Sequence, residues 1–219
     1  MRSQTLLLAS GSPRRKQLLV LGGWTFTTAP ADIDESALPG ETPRDYVMRL
    51  AEAKTRASAL LAGSEQVIIG SDTAVIIEGD ILGKPVDPAE AASMLRRLRG
   101  RTHQVYTGLA VFRPADGQFA ADLCITDVPM RAYSDEEISA YVATGDPLDR
   151  AGAYAIQHPV FQPVASMSGC FASVMGLPHC HLARLLKEFD IQPAADLPGN
   201  CQAFLKYQCP VFPTILGTG

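Results

Sequence analysis

The sequence predicts an α/β fold built on a mixed sheet, and three observations carry that prediction. Apolar, β-branched runs alternate with helix-period segments along most of the chain. Between His103 and Arg131 the pattern is strand-like, with a Pro114-Ala115-Asp116-Gly117 turn joining Val105–Phe112 to Phe119–Val128, so these neighbours run antiparallel. Near the N-terminus, Leu6-Leu7-Leu8-Ala9 runs into Ser10-Gly11-Ser12 and then Pro13-Arg14-Arg15-Lys16, which reads as a strand, a tight turn and a helix start.

The elements follow in order. Pro13 suits the first helical position, where no N–H is needed. Arg14 and Arg15 sit where the helix dipole disfavours cations, which points to an anion at that end, a phosphate chain above all. Thr42-Pro43-Arg44-Asp45 starts a second helix, with Tyr46, Val47, Leu50, Ala53, Ala57 and Leu61 at helical spacing. Gln66–Gly70 reads as a buried strand, and Ala74–Ile77 continues it or pairs with it. Asp87-Pro88-Ala89-Glu90 opens a helix close to a capping box, with Met94, Leu95 and Leu98 as its apolar face and Gly100 at its end. Ser134-Asp135-Glu136-Glu137 caps a helix running to about Thr144. Pro178 opens what reads as the last helix, burying Leu182, Leu185, Leu186 and Phe189. Residues 1–189 form one domain, and residues 190–219 read as an irregular Pro/Gly-rich extension without a core of its own.

Composition narrows the function classes. With 219 residues, 47% hydrophobic and 19% charged, the chain is an ordinary globular protein, long enough for one large domain or two lobes sharing a core. A net charge of -4 argues against a nucleic-acid partner, which needs a basic face. No apolar run approaches a membrane span, and Met1-Arg2-Ser3-Gln4 leads straight into a strand rather than a signal peptide. The five cysteines are odd in number and scattered, which fits a reducing, cytoplasmic compartment better than a disulfide framework. Cys180 between His179 and His181 offers metal-binding residue types, but adjacent helical residues point in different directions.

Polar residues that interrupt apolar segments are the candidates for chemistry. Asp72, within Ser71-Asp72-Thr73, lies between two β-branched runs, where a carboxylate needs a cation or several donors to stay ionised. Asp32, Asp34 and Glu35 share a loop from which any of the three can reach a metal. Lys54 breaks the rhythm of its helix, and Lys84 precedes a proline that fixes the backbone. Singly, each reads as an ordinary turn residue or solvated charge. Together they supply carboxylates for a divalent ion and cations for phosphates.

The ordered set Ser10-x-Ser12-Pro13-Arg14-Arg15, Glu35, Lys54, Ser71-Asp72-Thr73, Gly83-Lys84-Pro85, Asp149-Arg150-Ala151-Gly152-Ala153-Tyr154-Ala155-Ile156-Gln157 and Met175-Gly176-Leu177-Pro178 closely resembles the Maf family of nucleoside triphosphate pyrophosphatases. The resemblance covers about residues 5–189. It implies two lobes with a groove between them, a fold related to inosine triphosphatase, and frequent dimerisation, so a homodimer is expected. It implies a nucleoside triphosphate substrate, cleavage between its α- and β-phosphates, and a divalent cation (Mg2+ or Mn2+) as cofactor.

Residue by residue, the resemblance makes Asp72 the water-activating acid and Glu35 a metal-site or catalytic carboxylate, with both as metal ligands. Arg14 and Arg15 become phosphate-binding arginines, Lys54 and Lys84 phosphate-contacting lysines, and Ser10 and Ser12 the phosphate loop. Arg14, Thr73 and Gln157 match positions tied to substrate choice, Thr73 and Gln157 by reading a pyrimidine edge while Tyr154 packs beside it. The Ala-Gly-Ala-Tyr-Ala-Ile-Gln string resembles the branch that prefers dTTP and UTP. The chain departs from the family at His158-Pro159-Val160-Phe161, where a glycine-rich continuation is common, and at Gly169-Cys170, where Gly-Ser is common. Other readings are a broad-specificity or modified-purine (7-methyl-GTP) pyrophosphatase, and a nucleotide-sensing division regulator whose hydrolysis is incidental.

Overall fold

Six strands form one mixed sheet in the computed structural model, which describes residues 5–30, 32–63 and 65–217. The expectation for residues 1–4 lies outside the described residues. β1 (Leu6–Leu8) lies between β2 (Phe26–Thr28) and β3 (Val67–Ile77), parallel to both. β5 (Thr102–Arg113) runs antiparallel along the other side of β3, and β6 (Gln118–Pro129) is its hairpin partner. The short β4 (Asp80–Leu82) folds back onto the end of β3. Residues 67–77 are thus a single strand rather than a pair.

The register places a gap where it matters. β1 ends at Leu8, opposite Ile69, and β4 begins to pair at Val75. Both strands use the same edge of β3, because β5 occupies the other. Ser71-Asp72-Thr73 therefore lies in an opening between two partners, just where β1 turns into the first helix. Ligands of open α/β sheets collect at such a break in strand order.

That first helix, α1 (Pro13–Val20), is capped by Ser12, whose side chain accepts from the Arg15 N–H. On the opposite face of the sheet, α2 (Pro43–Ala59) lies directly on β3 and β5. Two glycines permit the approach. A Cβ on Gly70 would sit 2.0 Å from Thr55 Oγ1, and one on Gly108 would sit 2.6 Å from the Val47 carbonyl oxygen. This contact also overturns the expected apolar face. Val47, Leu50, Ala51, Thr55 and Ser58 are the buried residues of α2, whereas Ala53 and Ala57 are only half-buried and Leu61 lies exposed beyond the helix end. Small residues fit a helix pressed on glycines, and their hydroxyls are satisfied: Thr55 donates to Ala51 O at 2.7 Å and Ser58 to Ala29 O at 2.7 Å.

The remaining helices follow their caps. α3 (Pro88–Leu98) is capped by Asp87, but Glu90 reaches back to the Val86 N–H at 2.7 Å instead of closing a capping box. α4 (Asp135–Val142) carries the full capping box of Ser134 and Glu137. Two short 3-10 turns, Asp146–Asp149 and Ala151–Ala153, then lead to α5 (Phe171–Val174) and α6 (His179–Lys187). These elements pack with α1 and one face of the sheet into the main core, which includes Leu8, Leu18, Ile69, Leu95, Leu109 and Leu186. No helix among the described residues is long and apolar enough to cross a membrane.

The extension is not irregular. α7 (Leu197–Leu205) starts with Asp196 as cap and proline in its first turn, and α8 (Phe212–Leu216) ends on Gly217 in the left-handed region. Leu197 is buried, and Trp24 Nε1 donates to Gln192 O at 3.0 Å while Asn200 Nδ2 donates to Leu21 O at 3.0 Å. The segment borrows the domain's core, as its few large apolar residues require.

Candidate active site

The opening beside β3 is the floor of a cleft of about 660 Å³. Ser10, Ser12, Arg14, Arg15, Glu35, Lys54, Asp72, Thr73, Lys84 and Gln157 all line this one cleft, whereas Asp32 and Asp34 do not. They arrive from the β1–α1 turn, the loop before α2, α2 itself, β3, the loop after β4 and the segment after the second 3-10 turn.

At the centre, Lys54 Nζ donates to Asp72 Oδ1 at 2.6 Å and lies 2.7 Å from Glu35 Oε1. The close seat of α2 on Gly70 and Gly108 brings Lys54 over Asp72. Burial pushes the Asp72 carboxyl above the usual carboxylate range, and Lys54 and Arg15 pull it back. Asp72 is thus a desolvated carboxylate whose charge burial opposes and two neighbouring cations support. Lys54 is engaged with the two carboxylates. Tyr46 fixes the Glu35 loop by donating its hydroxyl to Glu35 O at 3.0 Å. Its pKa is pushed up to about 12 by burial and by Asp72 and Glu35, so the donor stays protonated.

The β1–α1 turn forms the cationic wall. Ser10 Oγ accepts from the Ser12 N–H at 3.2 Å and from Arg15 Nη1 at 3.4 Å, while Ser12 Oγ accepts from the Arg15 N–H at 3.4 Å. Both hydroxyls accept here, which leaves their own protons for an anion in the cleft. Arg15 Nε donates to Gly176 O at 2.9 Å, and Nη2 donates to Thr73 Oγ1 at 3.3 Å. Among the described residues, neither Arg14 nor Arg15 has a carboxylate within salt-bridge distance, and the Arg14 guanidinium has no hydrogen-bond partner. Burial lowers the pKa of both, Asp149 opposing it at Arg14 and Asp72 at Arg15. Two desolvated guanidinium charges without direct counter-ions have the chemistry to take an anion.

Thr73 is tied into a hydrogen-bonded chain. Thr107 donates to Ser173 O at 2.8 Å, so its oxygen accepts from Thr73 at 3.1 Å, and Thr73 in turn accepts from Arg15. Thr73 thereby holds Arg15 in place. Gly176 holds the same arginine through its carbonyl, which accepts from Arg15 and, at 2.9 Å, from Ser71 Oγ. Its φ of 102° and a Cβ position 3.1 Å from Arg15 Nε require glycine there.

At the outer rim, Lys84 and Asp149 form an exposed pair at 2.5 Å. Gln157 is exposed on the cleft wall, and its amide has no partner among the described residues. Tyr154 also lines the cleft but is buried, with its hydroxyl 2.8 Å from His103 Nε2. His158 accepts from the Phe161 N–H at 2.9 Å and closes a turn that needs no glycine.

Sequence reasoning missed Thr107, Ser173 and Tyr46. Thr107 faces Thr73 across the β3–β5 ladder, a register not legible before the strands are paired. Among the described residues no group of three His, Cys, Asp or Glu side chains is placed to hold a metal, at Cys180 or in the cleft. His179 is buried in the core and His181 binds Asp122 at 2.8 Å. Asp32 is exposed and Asp34 accepts from the Ser36 N–H, leaving Glu35 as the loop's contribution to the centre.

Fold and site together define an α/β protein with a cationic groove beside a buried, lysine-held carboxylate. The family described as Maf-like protein matches residues 5–189, and the chain belongs to it. Among its relatives, the dTTP/UTP pyrophosphatase of Geobacter sp. (strain M21) is 44% identical over 187 residues, covering 85% of this chain and 96% of that protein. The dTTP/UTP pyrophosphatase of Escherichia coli O157:H7 is 44% identical over 187 residues, covering 85% and 93%. The solved structure of the Staphylococcus aureus Ham1 protein aligns with 93% of this chain and 98% of its own at 13% identity and a TM-score of 0.47.

Proposed function

We propose that this protein hydrolyses dTTP and UTP to the nucleoside monophosphate and pyrophosphate. The observation that carries the reading is the pairing of Asp72 with Lys54 in a groove that also presents Arg14, Arg15 and Lys84. The naming of its relatives as dTTP/UTP pyrophosphatases supports it.

In this reading, the triphosphate lies along the β1–α1 turn. Arg14 and Arg15 neutralise its charge, and Ser10 and Ser12 donate their hydroxyl protons to phosphate oxygens. Asp72 accepts a proton from water as that oxygen bonds to the α-phosphorus. The bridging oxygen leaves with pyrophosphate, whose growing charge falls to Arg15 and Lys84. Lys54 keeps Asp72 ionised, and Gln157 pairs its amide with the pyrimidine edge.

Glu35 and Asp72 also fit a hard divalent ion such as Mg2+ or Mn2+. Their carboxylates converge on one ammonium, and such ions commonly bind through one or two carboxylates plus substrate phosphates. When bound, the ion adds positive charge at the phosphates. The five thiols are all free, in keeping with a reducing, cytoplasmic setting.

The test is pyrophosphate release from dTTP and UTP by the wild type and Asp72→Asn. A base contributes about 10²–10⁴-fold, so the variant loses at least about a hundredfold in kcat. Its fold persists, because Lys54 retains Glu35. Near-normal turnover by Asp72→Asn removes Asp72 from the chemistry. No turnover by the wild type favours a nucleotide sensor.

A further inference from the structure

The C-terminal extension, which lies beyond the family's matched residues, braces the phosphate wall of the cleft. We infer that Tyr207 is a positioning residue that acts through α5 on Arg15. The inference rests on the proposed role of Arg15 in holding phosphate.

The chain of contacts is short. The Tyr207 hydroxyl lies 2.9 Å from Gly169 O and 3.1 Å from Met167 O, so its one proton serves the segment leading into α5. Its ring packs on Phe171, the first residue of α5, with centroids 5.5 Å apart. α5 has only four residues, too few for a helix to hold itself. Yet its Ser173 carbonyl anchors Thr107, which anchors Thr73, which accepts from Arg15. Two residues past the helix, the Gly176 carbonyl accepts from Arg15 directly. Two of the three hydrogen bonds that aim the Arg15 guanidinium therefore trace to a single helical turn, the third going to Ser10 Oγ, and Tyr207 clamps that turn from outside. The tail itself is fixed to the domain at several points: Leu197 is buried, Asn200 bonds Leu21 O, and Trp24 Nε1 donates to Gln192 O at 3.0 Å. A docked tail can transmit position; a loose one cannot.

A double-mutant cycle on the full chain decides the matter, with kcat/KM for UTP and thermal midpoints as readouts. Tyr207→Phe removes the hydroxyl and keeps the ring. Losing one hydrogen bond to the segment costs about three- to tenfold in kcat/KM in the wild-type background. In the Arg15→Lys background, where the guanidinium fork is already gone, the same change costs less than about twofold, because residues acting through one another are not additive. A general effect on folding would lower the thermal midpoint and reduce activity equally in both backgrounds, and that result overturns the inference while leaving Arg15 as a phosphate ligand. Arg15→Lys with wild-type kcat/KM overturns the role of Arg15 itself and this inference with it.

Discussion

Replacing Lys54 by methionine separates two roles for that residue. The resemblance makes Lys54 a phosphate contact; the geometry makes it the cation that holds Asp72 and Glu35. Methionine keeps the length and apolar stem of lysine without the charge. Asp72 then loses an ammonium at 2.6 Å while burial continues to disfavour its anion, with Arg15 left as the cation opposing that effect. An opposite charge at such range lowers a carboxylate pKa by about 1–3 units, so its loss raises Asp72 by that amount, or about 1.4–4 kcal/mol. The sign is fixed: a base that must be ionised to work needs a higher pH when its pKa rises. The acidic limb of kcat/KM, measured by pyrophosphate release from UTP across the pH range, moves up by about 1–3 units, and much of the rate returns at alkaline pH. Glu35 is largely solvent-exposed and tolerates the loss, so the fold persists. A loss of kcat/KM that is the same at every pH, with the limb unmoved, would show that Lys54 touches phosphate directly and does not act through Asp72.

Other outcomes follow from the same geometry. Arg14→Ala costs on the order of 2–4 kcal/mol in kcat/KM, the size of one lost charge-stabilising donor, whereas Lys84→Ala costs less, because Lys84 is exposed and already paired with Asp149. Steady-state kinetics of the two variants side by side check that order. Gly176→Ala forces a side chain into the left-handed region and against Arg15 Nε, so kcat/KM falls about tenfold or more and the thermal midpoint drops; unchanged kinetics would free Arg15 from the Gly176 carbonyl. Far from the cleft, burial opposes the His181 imidazolium, but Asp122 and Cys124 outweigh it and push its pKa up to about 9. A raised pKa means that this contribution to stability is complete below about pH 6.5 and disappears as pH rises through about 9. Urea denaturation across that window shows the decline in the wild type and a flatter profile in Asp122→Asn.

Local chemistry explains why so many elements were legible in the sequence. Thr42-Pro43, Asp87-Pro88 and Ser134 with Glu137 announce helix starts through contacts spanning three residues, and each starts a helix. Charged members of the site such as Asp72 and Lys54 could be picked out because charged groups in apolar surroundings are conspicuous, whereas Thr73 and Gln157 came with the resemblance to the family. The pairings within the site could not be picked out. Lys54 meets Asp72 only because α2 lies on two glycines of different strands, and Thr73 meets Thr107 only through ladder register. Ala53, Ala57 and Leu61 misled for the same reason: helical spacing favoured them, but close packing selected Ala51, Thr55 and Ser58. In the tail, Pro198 and Pro213 resembled breakers, yet proline in a first turn starts a helix as readily as it ends one.

Hydrolysis of pyrimidine nucleoside triphosphates stands or falls on a ranking of substrates. Pyrophosphate release is measured with dTTP, UTP, ATP, GTP and 7-methyl-GTP, and kcat/KM is ranked for wild type and Gln157→Ala. The proposed function predicts dTTP and UTP at the top by about tenfold or more, and a flattened ranking when the unpartnered Gln157 amide is removed. A purine nucleotide at the top, or a ranking indifferent to Gln157, would contradict it.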